Sequence, residues 1–222
     1  LGIIRTIGRP QDRFREDKLR LLRAIRFSAK LGFIIEKETL NAIKRMSSQL
    51  SQISRERIRD EIFKIFQLEK ILPSLKLIKE TNLWASIFPF EPKEENLCFL
   101  ASLPRQLLPE LKLLALCWDN AGALIPILSD DFRLSRRQSI YLDNLNFFLT
   151  HFNELPTWRL ALILRALRRE PVAQILTFLD AWQKFFLPEE KELLNFIQST
   201  YKTHQGKLSV PGLISGQDLI DM

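Results

Sequence analysis

The sequence predicts an all-α chain, a multi-helix array carrying the remnant of one strand at its N-terminus. Three observations predict it. Apolar residues recur at helical spacing along almost the whole chain, as Ile58, Ile62, Ile65 and Phe66 do in one stretch. Helix-starting residues stand at the heads of such stretches, among them Ser54, Pro73 and Ser135. No strict repeat and no low-complexity segment breaks the pattern.

In chain order, "LGIIRTIG" reads as the end of a β-branched strand that runs into a loop at Gly8 and Pro10. One helix is expected over residues 16–31, with Glu16 and Asp17 in its first turn, where acids favour the helix dipole. "EKETLNAIKRMSSQL" follows, starting near Glu36 or Thr39. "SRERIRDEIFKIFQL" begins at Ser54, a good N-cap residue. "LPSLKLIKETNLW" tolerates Pro73 in a first turn. The proline-rich "IFPFEPKEEN" reads as a break between two helical parts. Further helices are expected near 93–102, 106–118, 135–150, 157–167, 170–186 and 189–203, with Ser135 as an N-cap. "VPGLISGQDLIDM" opens a helix after a Pro-Gly turn and stops within about two turns. A start in mid-strand and an end in mid-helix suggest a fragment of a longer protein.

Composition narrows the function classes. Of 222 residues, 46% are hydrophobic, which suffices for a sizeable core. No apolar run approaches the roughly 18 residues of a membrane span, and no secretory signal is present. Cys98 and Cys117 lie in apolar helical runs without a histidine at metal-ligand spacing, so buried free thiols in a reducing cytoplasm are expected. His151 and His204 stand alone and carry no assigned role. The net charge is +7, and its location says more than its size. Residues 1–67 hold 16 Lys and Arg against 8 Asp and Glu, a net of +8; the remainder holds 17 against 18, a net of −1. A basic N-terminal third suits either a polyanion such as nucleotide or RNA, or simply a solvated surface.

The stretch "FREDKLRLLRAIRF" is more ordered than a solvated helix requires. On a continuous helix, Asp17, Arg20, Arg23 and Arg26 would form a slowly winding stripe about 13–14 Å long, the reach of an extended nucleoside triphosphate. An aspartate accepts only and an arginine donates only. Side by side they match the Watson–Crick edges of cytosine and adenine, each an amino donor beside a ring-nitrogen acceptor. Guanine and uracil put a carbonyl oxygen against the carboxylate, and each buried polar group left unpaired costs about 1–3 kcal/mol. An Asp–Arg pair can therefore select C and A without a nucleic-acid template. The plain alternative is a surface helical pair worth a few tenths of a kcal/mol.

The wider context, "RTIGRPQDRFREDKLRLLRAIRFSAKLGF", resembles the neck region of class II CCA-adding tRNA nucleotidyltransferases and bacterial poly(A) polymerases. The likeness is carried by Gly8, Pro10, Arg13, Phe14, Glu16, Asp17, Arg20, Arg23, Ala24, Arg26 and Phe27 at fixed spacings. "SRERIRDEIFKIF" resembles the later neck motif, with Arg57 and Glu61 as the pair that braces the neck helices. "LISGQDLIDM" resembles the start of the tail, and "FRLSRRQ" adds a weaker likeness in between. The resemblance implies a head remnant over 1–15, a neck over 16–90, a helical body over 91–205 and a truncated tail over 206–222. It implies that Asp17 and Arg20 read the base of an incoming CTP or ATP. Arg23 and Arg26 would complete the nucleotide site, and Glu16 would orient Arg20.

The partners implied are tRNA and nucleoside triphosphates, with no membrane. The Mg2+ of the parent enzyme belongs to a head domain with a Gly-Ser turn and an Asp-x-Asp pair, neither of which occurs here. No catalytic residue is therefore expected in the chain. An A-adding enzyme or a poly(A) polymerase of the same family is the runner-up, although Lys18 stands where many poly(A) polymerases carry proline. A helical RNA-binding module without nucleotide selection is the alternative from another class.

Overall fold

In a computed structural model the described residues are 2–150 and 172–188, with Asn195, Gln198, Ser199, Lys202 and Thr203 besides. The expected helices at 157–167 and 189–203, His151, His204 and the tail stretch lie wholly or largely outside them. The described chain is helical, as the apolar spacing predicts. It divides into two units, Leu1–Ser139 and Ile140–Met222.

The first unit opens with β1 (Ile3–Ile4), which pairs in parallel with β2 (Ile34–Ile35) in the register Ile3 to Ile34 and Ile4 to Ile35. The strand at the N-terminus was expected; its partner was not. Two helices cross between the strands where one was expected. α1 runs Pro10–Glu16, with proline in its first turn, and α2 runs Arg20–Leu31. The break falls at Asp17, whose backbone is extended at φ −149° and ψ 104°. Its carboxylate accepts the Leu19 backbone N–H at 3.2 Å, a local bond that competes with helix continuation. α2 ends at Gly32 in the left-handed region at φ +67°, where Gly32 and Phe33 both donate to the Ser28 carbonyl.

α3 (Lys37–Met46) starts at Glu36, to which Thr39 Oγ1 donates, and passes into a 3-10 turn at Ser47–Gln52. α4 (Arg55–Phe66) starts after Ser54 as expected, although the serine side chain makes no capping bond. α5 (Leu72–Glu80) carries Pro73 in its first turn, and a short α6 spans Trp84–Ile87. α7 (Glu94–Ser102) and α8 (Pro109–Ala115) follow; α8 is shorter than the expected 106–118 and leads to a 3-10 turn at Trp118–Asn120. α9 (Ala121–Asp131) was not expected, because it contains Gly122 and Pro126. α10 (Arg136–Thr150) begins with a reciprocal cap: Ser135 N–H donates to Gln138 Oε1, and Gln138 N–H to Ser135 Oγ.

The core of the first unit is apolar and dense. α2 packs against α4 and α5, α1 against α3, and α8 against α4 and α7. Leu21, Leu22, Ile25, Ile43, Ile58, Ile62, Ile65, Phe99 and Leu113 are wholly buried. Cys117 is buried as expected, and burial pushes its thiol up to about 12. Cys98 is exposed, contrary to expectation, because it points off the outer side of α7. In the second unit, α11 (Val172–Phe186) buries Ile175, Phe178, Leu179 and Trp182. No single described helix is long and apolar enough to cross a membrane.

Candidate functional site

The buried leucines and isoleucine of α2 face the core, which turns Arg20, Arg23 and Arg26 outward as half-buried side chains. α4 lies beside α2. Its buried stripe of Ile58, Ile62 and Ile65 leaves Arg57 and Glu61, one turn apart, facing α2. The two do not pair with each other, as a simple helix pair would. Each crosses to the neighbouring segment instead. Arg57 Nη2 donates to Asp17 Oδ1 at 3.1 Å, and Glu61 accepts from Arg26 Nε at 2.8 Å.

Glu61 is 1% exposed and also accepts from Lys64 at 3.0 Å, with Arg23 Nε 3.5 Å away. Burial alone raises its carboxyl pKa. The hydrogen bonds from Lys64 and Arg26 outweigh burial and hold it below the ordinary value. Arg23 sits between two acids, 3.5 Å from Glu61 and 3.6 Å from Asp17 Oδ2. Both separations exceed a good charge-assisted hydrogen bond, so Arg23 is loosely held. The Arg26 guanidinium also lies over the Phe27 ring, 4.3 Å from its centroid.

Arg20 differs from the expected stripe. With the helix broken at Asp17, it turns back toward α1, and its Nη1 donates to Glu16 at 2.7 Å and to the Arg13 carbonyl at 2.8 Å. Arg13 joins the same carboxylate at 2.6 Å. The hydrogen bond from Arg20 holds the Glu16 carboxyl below its ordinary value. The expected link from Glu16 to Arg20 is thus present as a contact, and Arg20 meets Asp17 through the main chain, its N–H donating to the Asp17 carbonyl at 3.1 Å. The result is a carboxylate at a helix joint, Asp17, flanked by Arg23 and Arg57, with Arg26 and Glu61 behind it and Arg20 at the α2 N-terminus.

Sequence reasoning missed the cations on the other side of α4. Arg55 donates to the carbonyls of Ser86 and Ile87, pairs with Asp131 and lies 5.2 Å from the Phe132 ring centroid. Arg59 donates to the carbonyls of Phe132 and Arg133, the latter in the left-handed region at φ 51°. Lys112, 2% exposed, donates to the Phe66 carbonyl at the end of α4 and to the Arg105 carbonyl, and burial lowers its pKa to about 8. Most of their partners are main-chain oxygens distant in sequence, which leave no pattern in the sequence. Among the described residues no group of three or more His, Cys, Asp or Glu could hold a metal ion.

A model described as the probable RNA and SrmB-binding site of polymerase A matches residues 32–91. The CCA-adding enzyme of Bacillus subtilis (strain 168) is 41% identical over 102 residues, 46% of this chain and 26% of that protein. Poly(A) polymerase I of Escherichia coli O6:H1 is 42% identical over 88 residues, 40% of this chain and 19% of that protein. The crystal structure of the Bacillus stearothermophilus CCA-adding enzyme in complex with CTP aligns with a TM-score of 0.64 and 25% identity, over 99% of this chain and 55% of that one. A tRNA nucleotidyltransferase complexed with a primer tRNA and an incoming ATP analog shares the fold, with a TM-score of 0.64, 21% identity, and coverage of 93% of this chain and 63% of that one. The helical fold of the chain is shared with these solved enzymes. Over the matched stretches the chain is similar in sequence to CCA-adding enzymes and to bacterial poly(A) polymerase I. It spans about half the length of the solved structure and a smaller share of the curated relatives.

Proposed function

We propose that this chain is the nucleotide-selecting and RNA-holding part of a template-independent nucleotidyltransferase that adds C and A to tRNA 3′ ends. The observation that carries the reading is the Asp17 carboxylate, held half-buried at the α1–α2 joint among arginines. In the proposal it accepts from the exocyclic amine of cytosine or adenine. Arg20 donates to the ring nitrogen; its two present hydrogen bonds both use Nη1, and a guanidinium has further donors. Arg23 and Arg26 carry charge toward the triphosphate and sugar of CTP or ATP, with Glu61 fixing Arg26. Residues 16–90 then serve as the neck, and the helices beyond 91 and the tail hold tRNA by shape and phosphate contacts.

The described residues hold no carboxylate set fit for the two Mg2+ ions of nucleotidyl transfer, so no step of the proposal runs through a metal on this chain. The similarity to a poly(A) polymerase supports a second reading, addition of A alone. Incubating the complete protein with tRNA lacking its 3′ end and each nucleotide separates the two. Incorporation of C and then A, stopping there, supports the proposal. Long runs of A without C overturn it in favour of the second reading, and incorporation of nothing overturns both.

A further inference from the structure

We propose that Arg133 and Arg136, in and beside the turn between α9 and α10, form an anchor for the phosphates of an RNA strand. The inference rests on the RNA-holding reading above and deepens it by naming the residues.

The turn holds its arginines on a fixed backbone. At the end of α9, Phe132 N–H donates to the Leu128 carbonyl and Leu134 N–H to the Ser129 carbonyl, with Arg133 between them in the left-handed region at φ 51°. Glycine takes that place at no steric cost, whereas arginine carries a Cβ into it. Arg59 fixes the turn from α4, donating to the carbonyls of Phe132 and Arg133 at 3.1 and 2.9 Å. The reciprocal bonds of Ser135 and Gln138 close its other side.

The guanidiniums take no part in that framework. Arg133 and Arg136 are exposed, and neither side chain has an ion-pair or hydrogen-bond partner among the described residues. Asp131, the acid two residues before Arg133, is taken by Arg55. Arg136 and Arg137 stand in the first turn of α10 with no acid there, although the helix dipole disfavours cations at that end. Stability favours glycine at 133 and an acid at 136, yet both positions carry arginine. An anion from outside the chain accounts for both. Three residues span at most about 11 Å between Cα atoms, so two long side chains can meet neighbouring phosphates of one strand. Residues 68–222 hold 17 Lys and Arg against 18 Asp and Glu, which makes three arginines within residues 133–137 a local concentration of charge. Such an anchor reads charge and spacing and carries no sequence information.

The test measures the affinity of the complete protein for tRNA lacking its 3′ end, over a range of salt concentrations. The variants are Arg133→Gly, Arg136→Ala and the two together; Lys70→Ala with Lys76→Ala removes the same charge from exposed positions elsewhere. The expected result for the Arg133 and Arg136 double variant is a roughly tenfold weaker affinity at low salt and a shallower dependence of affinity on salt. Its thermal midpoint should be unchanged or higher, because glycine suits position 133, and its KM for CTP at saturating tRNA should be unaltered. Arg133→Lys with Arg136→Lys is expected to keep most of the affinity. If the double variant does not fold, each single variant is expected to show part of the loss. Unchanged affinity and salt dependence overturn the inference and leave the proposed function standing, as does an equal loss in the Lys70 and Lys76 control. Lost affinity for poly-glutamate beside retained affinity for tRNA overturns it in favour of an acidic protein partner. A parent protein that binds no tRNA overturns the RNA-holding reading itself, and this inference with it.

Discussion

α4 carries cations on two sides, and the two sides use them differently. Arg55 and Arg59, one turn apart, reach the chain near 86–87 and 131–133, where they meet main-chain carbonyls and Asp131. Arg57 and Glu61, one turn apart on roughly the opposite side, reach α2 and the Asp17 joint. On the first side the guanidiniums are tied up in bonds to the backbone, and Phe132 caps Arg55. On the second side Arg20, Arg23, Arg26, Arg57 and Lys64 surround three acids, and Arg23 has no close partner. Cations bonded to carbonyls hold a fold together. Cations in excess over carboxylates on a part-exposed face remain able to take an anion.

Removing a carbonyl-bound cation is expected to have the largest effect on stability. Arg55→Ala strands the Ser86 and Ile87 carbonyls and the Asp131 carboxylate, and we expect a loss of about 2–4 kcal/mol by chemical denaturation. A loss under about 1 kcal/mol would break the contrast, since Arg55 would then behave as an ordinary surface arginine.

Glu61→Gln should cost somewhat less, about 1–3 kcal/mol at neutral pH, because shape is retained while a buried charge facing Arg26 and Lys64 is lost. The pH dependence sharpens the point. The folded carboxyl is depressed below 4.5, so its contribution is present above that pH and disappears as pH falls through the folded value. Acid unfolding followed from pH 6 to pH 2 should be flatter for Glu61→Gln than for the parent.

Lys112 belongs with the carbonyl-bound cations, and its expected effect is smaller and of opposite pH sense. Its pKa is lowered from 10.5 to about 8 on folding, so between those values the unfolded chain keeps a proton that the folded chain releases. Raising the pH over that window should stabilise the protein, and Lys112→Met should flatten that rise. Parallel pH curves for the two proteins would show that Lys112 does not titrate in the window.

The same division explains how far the sequence could be read. The helices with apolar stripes and local start signals were legible: Pro73 and the Ser135 N-cap stand where the sequence puts them. α9 was not, because Gly122 and Pro126 argue against a helix that its burial of Ile125 and Leu128 nonetheless stabilises. The joint at Asp17 was hidden because the stripe of arginines continues the α2 period backward through it. The residues of the candidate site were legible in their types and spacings, since acids and arginines at intervals of three are a local pattern. Their pairing was not. Arg57 to Asp17 spans 40 residues and Glu61 to Arg26 spans 35. β2 was hidden in the same way, since two isoleucines become a strand only beside Ile3 and Ile4.

The central claim is that the Asp17 side of α4 governs base choice while the Arg59 side governs only the fold. The most direct test compares the ratio of kcat/KM for CTP over UTP in the complete enzyme carrying Asp17→Ala and in that carrying Arg59→Ala, at a temperature where both are folded. We predict a ratio roughly tenfold lower for Asp17→Ala, a change of about 1–3 kcal/mol in discrimination, and an unaltered ratio for Arg59→Ala despite its lower thermal midpoint. Equal ratios in the two variants, whether both normal or both lowered, would contradict the account.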